Sequence, residues 1–345
     1  MNIVFLNLAV MPYHVAVFRA LISKGYHCIV YWYGTSPKTA YRAPIIDGLE
    51  LYNRFDFKDT RSLFEHSSRF NPRVVVSCGW TDRRYNMVCR LFRKSKIPTL
   101  SMSDTQWNGG KQWLNRLLSP FQHKRYFDYI WGAGILQFDY ARKLGFKPRQ
   151  ILMNCFSGDY DTFSKIPIEE KEKEYPKRFL FVGRFVHVKA IDVLLEAWMS
   201  IEDKNGWTLE LIGDGPLKEK FRQKYPDVII KDFMSQSKLV EEAKQSGCFI
   251  IPSRFEPWAL VIHEFAFAGL PIISSDACGA ARQFVINGHN GYIAKSGDVK
   301  SLRDAINKII HSDQNTLIQY SKNSRYLAET VTPDIVSDTL LSTIK

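Results

Sequence analysis

The sequence predicts a parallel α/β protein built in two halves, and three observations carry that reading. Apolar strand-like segments alternate with amphipathic ones along the whole chain, the pattern of a parallel sheet with covering helices. A polar stretch at 164–177, including Lys165-Ile-Pro-Ile-Glu-Glu-Lys-Glu-Lys-Glu-Tyr-Pro-Lys177, interrupts the alternation as a linker would. Charge then changes across that stretch. Residues 1–165 hold 24 Lys and Arg against 11 Asp and Glu, whereas residues 166–345 hold 23 against 24. A chain of 345 residues is long enough for two sizeable cores.

In order, the first predicted strand is Asn2–Leu8. Its start, Met1-Asn-Ile-Val-Phe-Leu, lacks the positive head and cleavage site of a signal peptide. A helix over Val15–Lys24 follows, then strands at Cys28–Tyr33 and Val74–Cys78, and a helix at Arg84–Lys94. A strand at Thr99–Met102, a helix at Lys111–Ser119, a strand at Tyr129–Gly132 and a helix at Gln137–Leu144 complete the half. After the polar stretch, strands are expected at Arg178–Val182, Thr208–Ile212, Val228–Ile230, Cys248–Ile251, Pro271–Ser274 and Gly291–Ala294, with helices between them. Thr332–Lys345 reads as a last helix that packs back on the first domain. The expected domains are therefore 1–165, 166–331 and that terminal helix at 332–345.

Composition excludes several classes. No apolar run reaches the roughly 18 residues of a membrane span. The six cysteines are scattered without paired zinc-like spacing and read as reduced thiols of a cytoplasmic protein. The net charge of +12 lies in the first half. Nucleic acid, an anionic membrane surface and a phosphorylated substrate all suit a basic half, as does a solvated surface that aids solubility.

The most specific segment is Glu256-Pro-Trp-Ala-Leu-Val-Ile-His-Glu264, running on to Ala268-Gly-Leu-Pro-Ile-Ile-Ser-Ser-Asp276. It follows an apolar strand, and Pro257 suits a first helical turn. Eight helical residues rise about 12 Å, so a carboxylate would stand at each end of a helix start whose free N–H groups face an anion. Gly183-Arg-Phe-Val-His-Val-Lys189 follows another strand and offers two cations to one diphosphate, or is a solvated basic loop. Gly213-Asp-Gly-Pro216 lacks the third glycine of a dinucleotide fingerprint. Phe233-Met234 ends a strand, where Phe233 stacks on a base or sits in the core. Asn287-Gly-His-Asn-Gly291 reads as a structural turn.

Taken in order, Gly-Arg-x4-Lys, Gly-Asp-Gly-Pro, Glu-x7-Glu and Asn-Gly-x-Asn-Gly-Tyr resemble the retaining glycosyltransferases of family 4, which have the GT-B fold of two Rossmann-like domains facing across a cleft. The Glu-Pro-Trp variant resembles bacterial members that build surface polysaccharides such as O-antigen and capsule. The resemblance covers most of residues 150–345, with a crossover region at 154–163, and is loose before that. It implies that Arg184 and Lys189 neutralise the leaving diphosphate, that Glu264 binds the ribose hydroxyls and that Glu256 faces the donor sugar. Gly183, the backbone of Leu260 and Val261, Phe233 and Met234 complete the expected donor site. The implied donor is a UDP- or GDP-sugar with no further cofactor and no metal, because fixed cations and a helix dipole take the leaving-group charge. Ala190 and Ala259 stand where the family has glycine.

Other readings stay open. On the acceptor side, His14 bonds a phosphate or sugar hydroxyl, or caps the first helix. Asp104 sits near the reacting centre, or is an N-cap. Asp159-Tyr-Asp161 looks like a metal-binding Asp-x-Asp but lies in the crossover, where the family carries an aspartate for structural reasons. Trp113, Leu114, Leu117, Leu118 and Phe121 form one apolar face flanked by Arg116, Lys124 and Arg125. That face suits a peripheral helix at the inner surface of the membrane, or a helix covering a sheet. The resulting expectation is a metal-independent transferase acting on a glycan or lipid-linked acceptor, with no nucleic-acid partner. The alternatives are a sugar-nucleotide epimerase of the same fold and a non-catalytic sugar- or nucleic-acid-binding protein.

Overall fold

The computed structural model describes residues 1–34 and 44–344. The chain forms two compact units, Met1–Ser157 with Val331–Lys345, and Gly158–Thr330.

The first unit is built on seven strands: β1 (Asn2–Leu6), β2 (His27–Trp32), β3 (Leu49–Asn53), β4 (Val74–Ser77), β5 (Thr99–Ser103), β6 (Tyr129–Gly132) and β7 (Ile151–Leu152). Their spatial order is β3-β2-β1-β4-β5-β6-β7, with Ile3 opposite both Cys28 and Val74, and all neighbours parallel. Ile3, Val4, Val74, Val75 and Leu100 are fully buried, as expected of central strands with both faces covered. The order reverses between β1 and β4, which opens a crevice at the strands' carboxyl ends. Two strands were not expected from sequence. β3 is an edge strand whose residues are half-buried or exposed, and β7 is two residues long. The helix Thr60–Ser68 was also missed, although Asp59 caps it by accepting from Ser62 N–H at 2.8 Å.

The second unit carries β8 (Arg178–Val182), β9 (Thr208–Ile212), β10 (Ile229–Lys231), β11 (Cys248–Ile251), β12 (Ile272–Ser275) and β13 (Gly291–Ala294). Their order is β10-β9-β8-β11-β12-β13, again all parallel, with the reversal between β8 and β11. Its core joins Phe179, Phe181, Leu209, Leu211, Cys248 and Ile250 to the helices Ile191–Met199 and Val299–Ile310.

The polar stretch at 164–177 is not a free linker. It is a strap packed on the second unit. Lys171 is buried and donates to the carbonyls of Ser246 (3.1 Å) and Gly269 (3.4 Å), and Tyr175 donates to the Gly247 carbonyl at 2.8 Å. Those bonds explain how a charged run can lie inside a fold. Burial, then the nearby Arg325 charge, lowers the Lys171 pKa to about 7. Upstream, the rings of Tyr160 and Phe163 pack on Phe267 and Phe265, at 5.1 and 5.6 Å. That packing assigns residues 158–165 to the second unit, so the division falls at 157/158 where the sequence placed it at 165/166.

At the other end, the helix Pro333–Leu341 lies in the first unit, against the helix Pro12–Ser23. Lys24 Nζ bonds Ser337 Oγ and Asp338 Oδ1, both at 2.6 Å. Val336 and Leu340 of the same helix are fully buried. Removing a buried leucine side chain costs about 2–5 kcal/mol. Leu340→Ala is therefore expected to lower the denaturation midpoint by that order in free energy. Substituting Asp338 with Ala, which loses only a solvent-exposed ion pair, should cost about 1 kcal/mol or less. Urea titrations of both variants check the ranking.

Candidate active site

The two strands flanking the second reversal each end in a loop. After β8 comes Gly183-Arg184-Phe185, and it is pressed against the Gly213-Asp-Gly215 turn that ends β9. A Cβ on Gly213, whose φ is 153°, would stand 1.9 Å from the Gly183 carbonyl oxygen. Phe185 N–H donates to Asp214 O at 2.8 Å, and Leu217 N–H to Phe185 O at 3.1 Å. The glycine turn is thus a packing device that fixes the Arg184 loop. Arg184 itself is exposed and makes no ion pair among the described residues. The chain continues through the turn His187–Lys189 and a left-handed Ala190 (φ 54°, ψ 35°) into the helix Ile191–Met199.

After β11, the sequence expectation of a helix beginning at Pro257 is corrected. Residues 256–258 pair instead with the segment after β12. Glu256 N–H donates to Ala277 O (3.1 Å), Gly279 N–H to Glu256 O (3.1 Å) and Ala280 N–H to Trp258 O (2.7 Å). The close approach requires glycine, because a Cβ on Gly279 would meet the Pro257 carbonyl at 2.3 Å. Ala259 then turns left-handed (φ 75°, ψ 66°), and the helix is Leu260–Phe267. Glu256 is therefore off the helix, and only Leu260 to Glu264, a rise of about 6 Å, separates the helix start from the second glutamate. The bond from Ile262 N–H to Ala259 O leaves the N–H groups of Leu260 and Val261 at the helix mouth. Ala190 and Ala259 both hold the left-handed backbone that glycine favours, at about 1–2 kcal/mol each.

The two loops meet in an ion pair. Lys189 Nζ donates to Glu256 Oε1, both side chains being mostly buried, and Ser253 Oγ donates to the same oxygen at 3.2 Å. Sequence reasoning gave Lys189 and Glu256 separate duties and did not pair them. It also missed Arg254. That guanidinium grips Asp192 with two bonds of 2.8 and 2.7 Å and holds the Asp192 carboxyl below its usual range. Arg254 further donates to the His187 carbonyl at 2.8 Å, which ties the two loops together.

Glu264 faces inward. Gln236 Nε2 lies 3.4 Å from its Oε1. Burial first, then the Asp159 carboxylate, pushes its pKa up to about 8. Next to it, His263 is a structural residue. Its Nδ1 accepts from Gly158 N–H (3.1 Å), so its Nε2 carries the proton to Ala328 O (2.9 Å), between the rings of Phe267 and Phe284. Asp159 caps the short helix Tyr160–Phe163 through Thr162. Among the described residues, no group of three or more His, Cys, Asp or Glu could hold a metal ion. At the end of β10, Phe233 is 75 % exposed and does not enter the core, whereas Met234 is half-buried. Asn290 is fully buried and bonds Ile286 N–H, Phe284 O and Ser324 Oγ, so that turn is structural.

In the first unit, His14 and Asp104 line one cavity of about 290 Å³. Leu8, Cys78, Met102 and Ser103 place it at the carboxyl ends of β1, β4 and β5, beside the strand reversal. Tyr13, Trp80 and Phe156 add aromatic walls. Of the two readings left open for His14, the helix cap is observed. Its Nδ1 accepts from Met11 N–H at 3.1 Å, capping the helix Pro12–Ser23, while the ring lines the cavity. Burial lowers its pKa to about 3. The neutral ring therefore carries its proton on Nε2. Asp104 is not an N-cap, since the next helix, Gln112–Leu118, is preceded by Lys111. Asp104 is exposed to the cavity, and desolvation by its surroundings raises its carboxyl pKa.

Comparison with known proteins bears on the second unit first. Residues 162–326 match the family model of glycosyl transferases group 1. The amylovoran biosynthesis glycosyltransferase AmsD of Erwinia amylovora is 29 % identical over 141 residues, 40 % of this chain and 39 % of that protein. The 2-deoxystreptamine N-acetyl-D-glucosaminyltransferase of Niallia circulans is 29 % identical over 145 residues, 40 % of this chain and 37 % of that one. The matched region thus spans under two-fifths of either relative's length. Solved structures match along the whole chain. Anabaena HepE in complex with UDP has a TM-score of 0.75 at 16 % identity, covering 99 % of both chains. A glycosyltransferase of Rickettsia africae has a TM-score of 0.77 at 13 % identity, covering 100 % of this chain and 97 % of its own. The fold is GT-B.

The half-buried Glu264 makes a stability prediction. Its carboxyl titrates near 8 in the fold against 4.5 ordinarily. The folded state therefore holds a proton that the unfolded state releases, and this contribution is lost as pH rises from about 4.5 through 8. Glu264→Gln is expected to raise the melting temperature at neutral and mildly alkaline pH and to flatten its fall across that window. Melting curves of both proteins measured across pH test it. An unchanged slope would place the carboxylate in water.

Proposed function

We propose that the protein is a retaining glycosyltransferase of family 4 type. In this reading it moves a sugar from a UDP- or GDP-sugar to a glycan or lipid-linked acceptor in polysaccharide biosynthesis, at the inner face of the membrane and without a metal ion. One observation carries the reading. At the β8/β11 reversal, the loop that carries Arg184 and Lys189 meets the segment that carries Glu256 and leads into the Leu260–Phe267 helix with Glu264, joined by the Lys189–Glu256 ion pair, within the region that matches glycosyl transferases group 1. The titles of solved neighbours support a nucleotide-sugar donor, since HepE was solved with UDP and with UDP-glucose.

The residues divide the work by charge. When the glycosidic bond to phosphate breaks, negative charge grows on the diphosphate. Arg184, Lys189 and the N–H groups of Leu260 and Val261 are the donors that stabilise it, the peptide groups and Lys189 being already fixed in place as the charge develops. Lys189 is already held at the site by Glu256, so that carboxylate orients the cation while facing the sugar. Glu264 accepts the ribose hydroxyls, and Phe233 and Met234 flank the base. The departing phosphate helps deprotonate the acceptor, so no protein nucleophile is required. His14 offers the acceptor a hydrogen-bond donor at Nε2 and is no base there, because Nδ1 is already engaged.

Arg184→Ala and Lys189→Ala are expected to lower kcat by about 10²–10³-fold, the effect of removing one transition-state donor, with melting temperatures showing that the fold survives. Glu264→Gln should chiefly weaken donor binding, and Glu256→Gln should chiefly lower kcat. Kinetics with a screened donor separate these, and near-normal turnover in both cation variants would sink the assignment. Donor selection itself is read by thermal shift, since a nucleotide-sugar at a hundred times its Kd adds about 2.7 kcal/mol.

Turnover should persist in excess chelator, and NMR of the product should show the donor's anomeric configuration retained. Loss of activity in chelator with recovery on adding manganese would reject metal independence, and an inverted product would reject retention.

A further inference from the structure

The helix Gln112–Leu118 has no buried residue. Along it and the turn that follows, Trp113 is 55 % exposed, Leu114 58 %, Leu117 71 % and Phe121 70 %. Of the two readings of this face, the one in which it covers a sheet is thereby excluded. Neighbouring apolar side chains of this size rarely face water together unless something covers them. The ridge is also fixed in place. Ser119 Oγ donates to the Leu144 carbonyl at 2.7 Å, Asn115 Nδ2 to Tyr140 Oη at 3.3 Å, and Trp113 meets the edge of Trp107 at 5.2 Å.

Cations surround the ridge. A cavity of about 590 Å³ is lined by Arg116, Lys124, Arg142 and Lys143, with Asp139 as its carboxylate. A larger one, about 780 Å³, is lined by Arg93, Lys96, Lys124, Lys147 and Arg149 among others. Asp128 is the carboxylate among its described lining residues, and Arg93 already pairs with it at 2.6 Å. Lys124 lines both cavities, so they adjoin. Pro98, Tyr129 and Gln150 place the larger one at the amino-terminal edge of the sheet, opposite the edge that holds His14 and Asp104. Arg116 and Lys143 also lie over the Trp113 and Trp107 rings, each at 5.3 Å, with apolar stems and charged tips as at a lipid–water boundary.

We infer that this face of the first unit docks on an anionic phospholipid bilayer. The ridge from Trp113 to Phe121 enters the boundary between headgroups and acyl chains, and the two cavities hold lipid phosphates. Charge decides the occupant. A second copy of the chain, applying the same face, would bring two cation clusters together. A nucleic acid would meet the cations but leave Leu117 and Phe121 in water. A bilayer bearing negative headgroups satisfies both features. The inference rests on the reading above and deepens it by naming the docking surface and the lipid chemistry, yet binding is measured without donor or turnover, so the two can fail separately.

The test is flotation of the whole protein with vesicles of phosphatidylcholine alone or mixed with phosphatidylglycerol. Binding to the mixed vesicles is expected, weakening as salt shortens the screening length. Leu117→Ser with Phe121→Ser should reduce it about tenfold or more, from the loss of two apolar groups. Lys96→Ser with Arg149→Ser should reduce it by a similar factor and flatten the salt dependence. All four positions are exposed, and unchanged melting temperatures confirm that the fold is intact. Equal binding to both vesicle types, full binding by either double variant, or self-association abolished by Leu117→Ser would each overturn the inference. So would stabilisation by inorganic phosphate with no flotation at all.

Discussion

The parallel pairing of β8 with β11 is the constraint from which the second unit's site follows. The strand order turns back there, so the loops leaving the two strands diverge on one side and converge at their tips. Lys189 and Glu256 meet at that convergence, and Arg254 locks the arrangement by holding Asp192 and the His187 carbonyl. Remove the pairing and none of these groups has a reason to be close, since 67 residues separate the lysine from the glutamate. The glycine contacts serve the same end. They let peptide planes touch where a methyl group would force the loops apart.

Charge is placed with similar economy. Glu264 has its charged form disfavoured by burial and by the Asp159 carboxylate, whereas Glu256 is paired with an ammonium and accepts from a hydroxyl. Two carboxylates eight positions apart thus have opposite surroundings. One is disfavoured as an anion by its neighbours, and the other is half of an ion pair. In the first unit, His14 and His123 are both held neutral by burial, so the basic character of that unit rests on its lysines and arginines, whose charge does not change near neutrality.

Much of the architecture was legible because it is local. Buried parallel strands such as Ile3 to Leu6 or Cys248 to Ile251 announce themselves as apolar runs, and the order of the glycine, lysine and glutamate motifs could be read directly. What escaped depends on distant partners. Pro257 looks like a helix start until Gly279, twenty-two residues later, claims the backbone of residues 256–258. Lys171 looks solvated until the carbonyls of Ser246 and Gly269 are seen around its ammonium. The edge strand β3 has too little buried surface to leave a pattern. Exposure of the Trp113 ridge was likewise undecidable, because an apolar helical face has the same spacing whether a sheet or a bilayer covers it.

The return of residues 331–345 to the first unit has a consequence for how the molecule assembles. Everything from 158 to 330 is, topologically, one long loop inserted before the last helix of the first unit. While that insert is unfolded, seating the helix means closing a ring of about 170 residues, an entropic toll of about 4–5 kcal/mol on a logarithmic law. Once the insert has folded, its two ends are held and most of that toll disappears. The first unit therefore gains its final helix most readily after the second is complete.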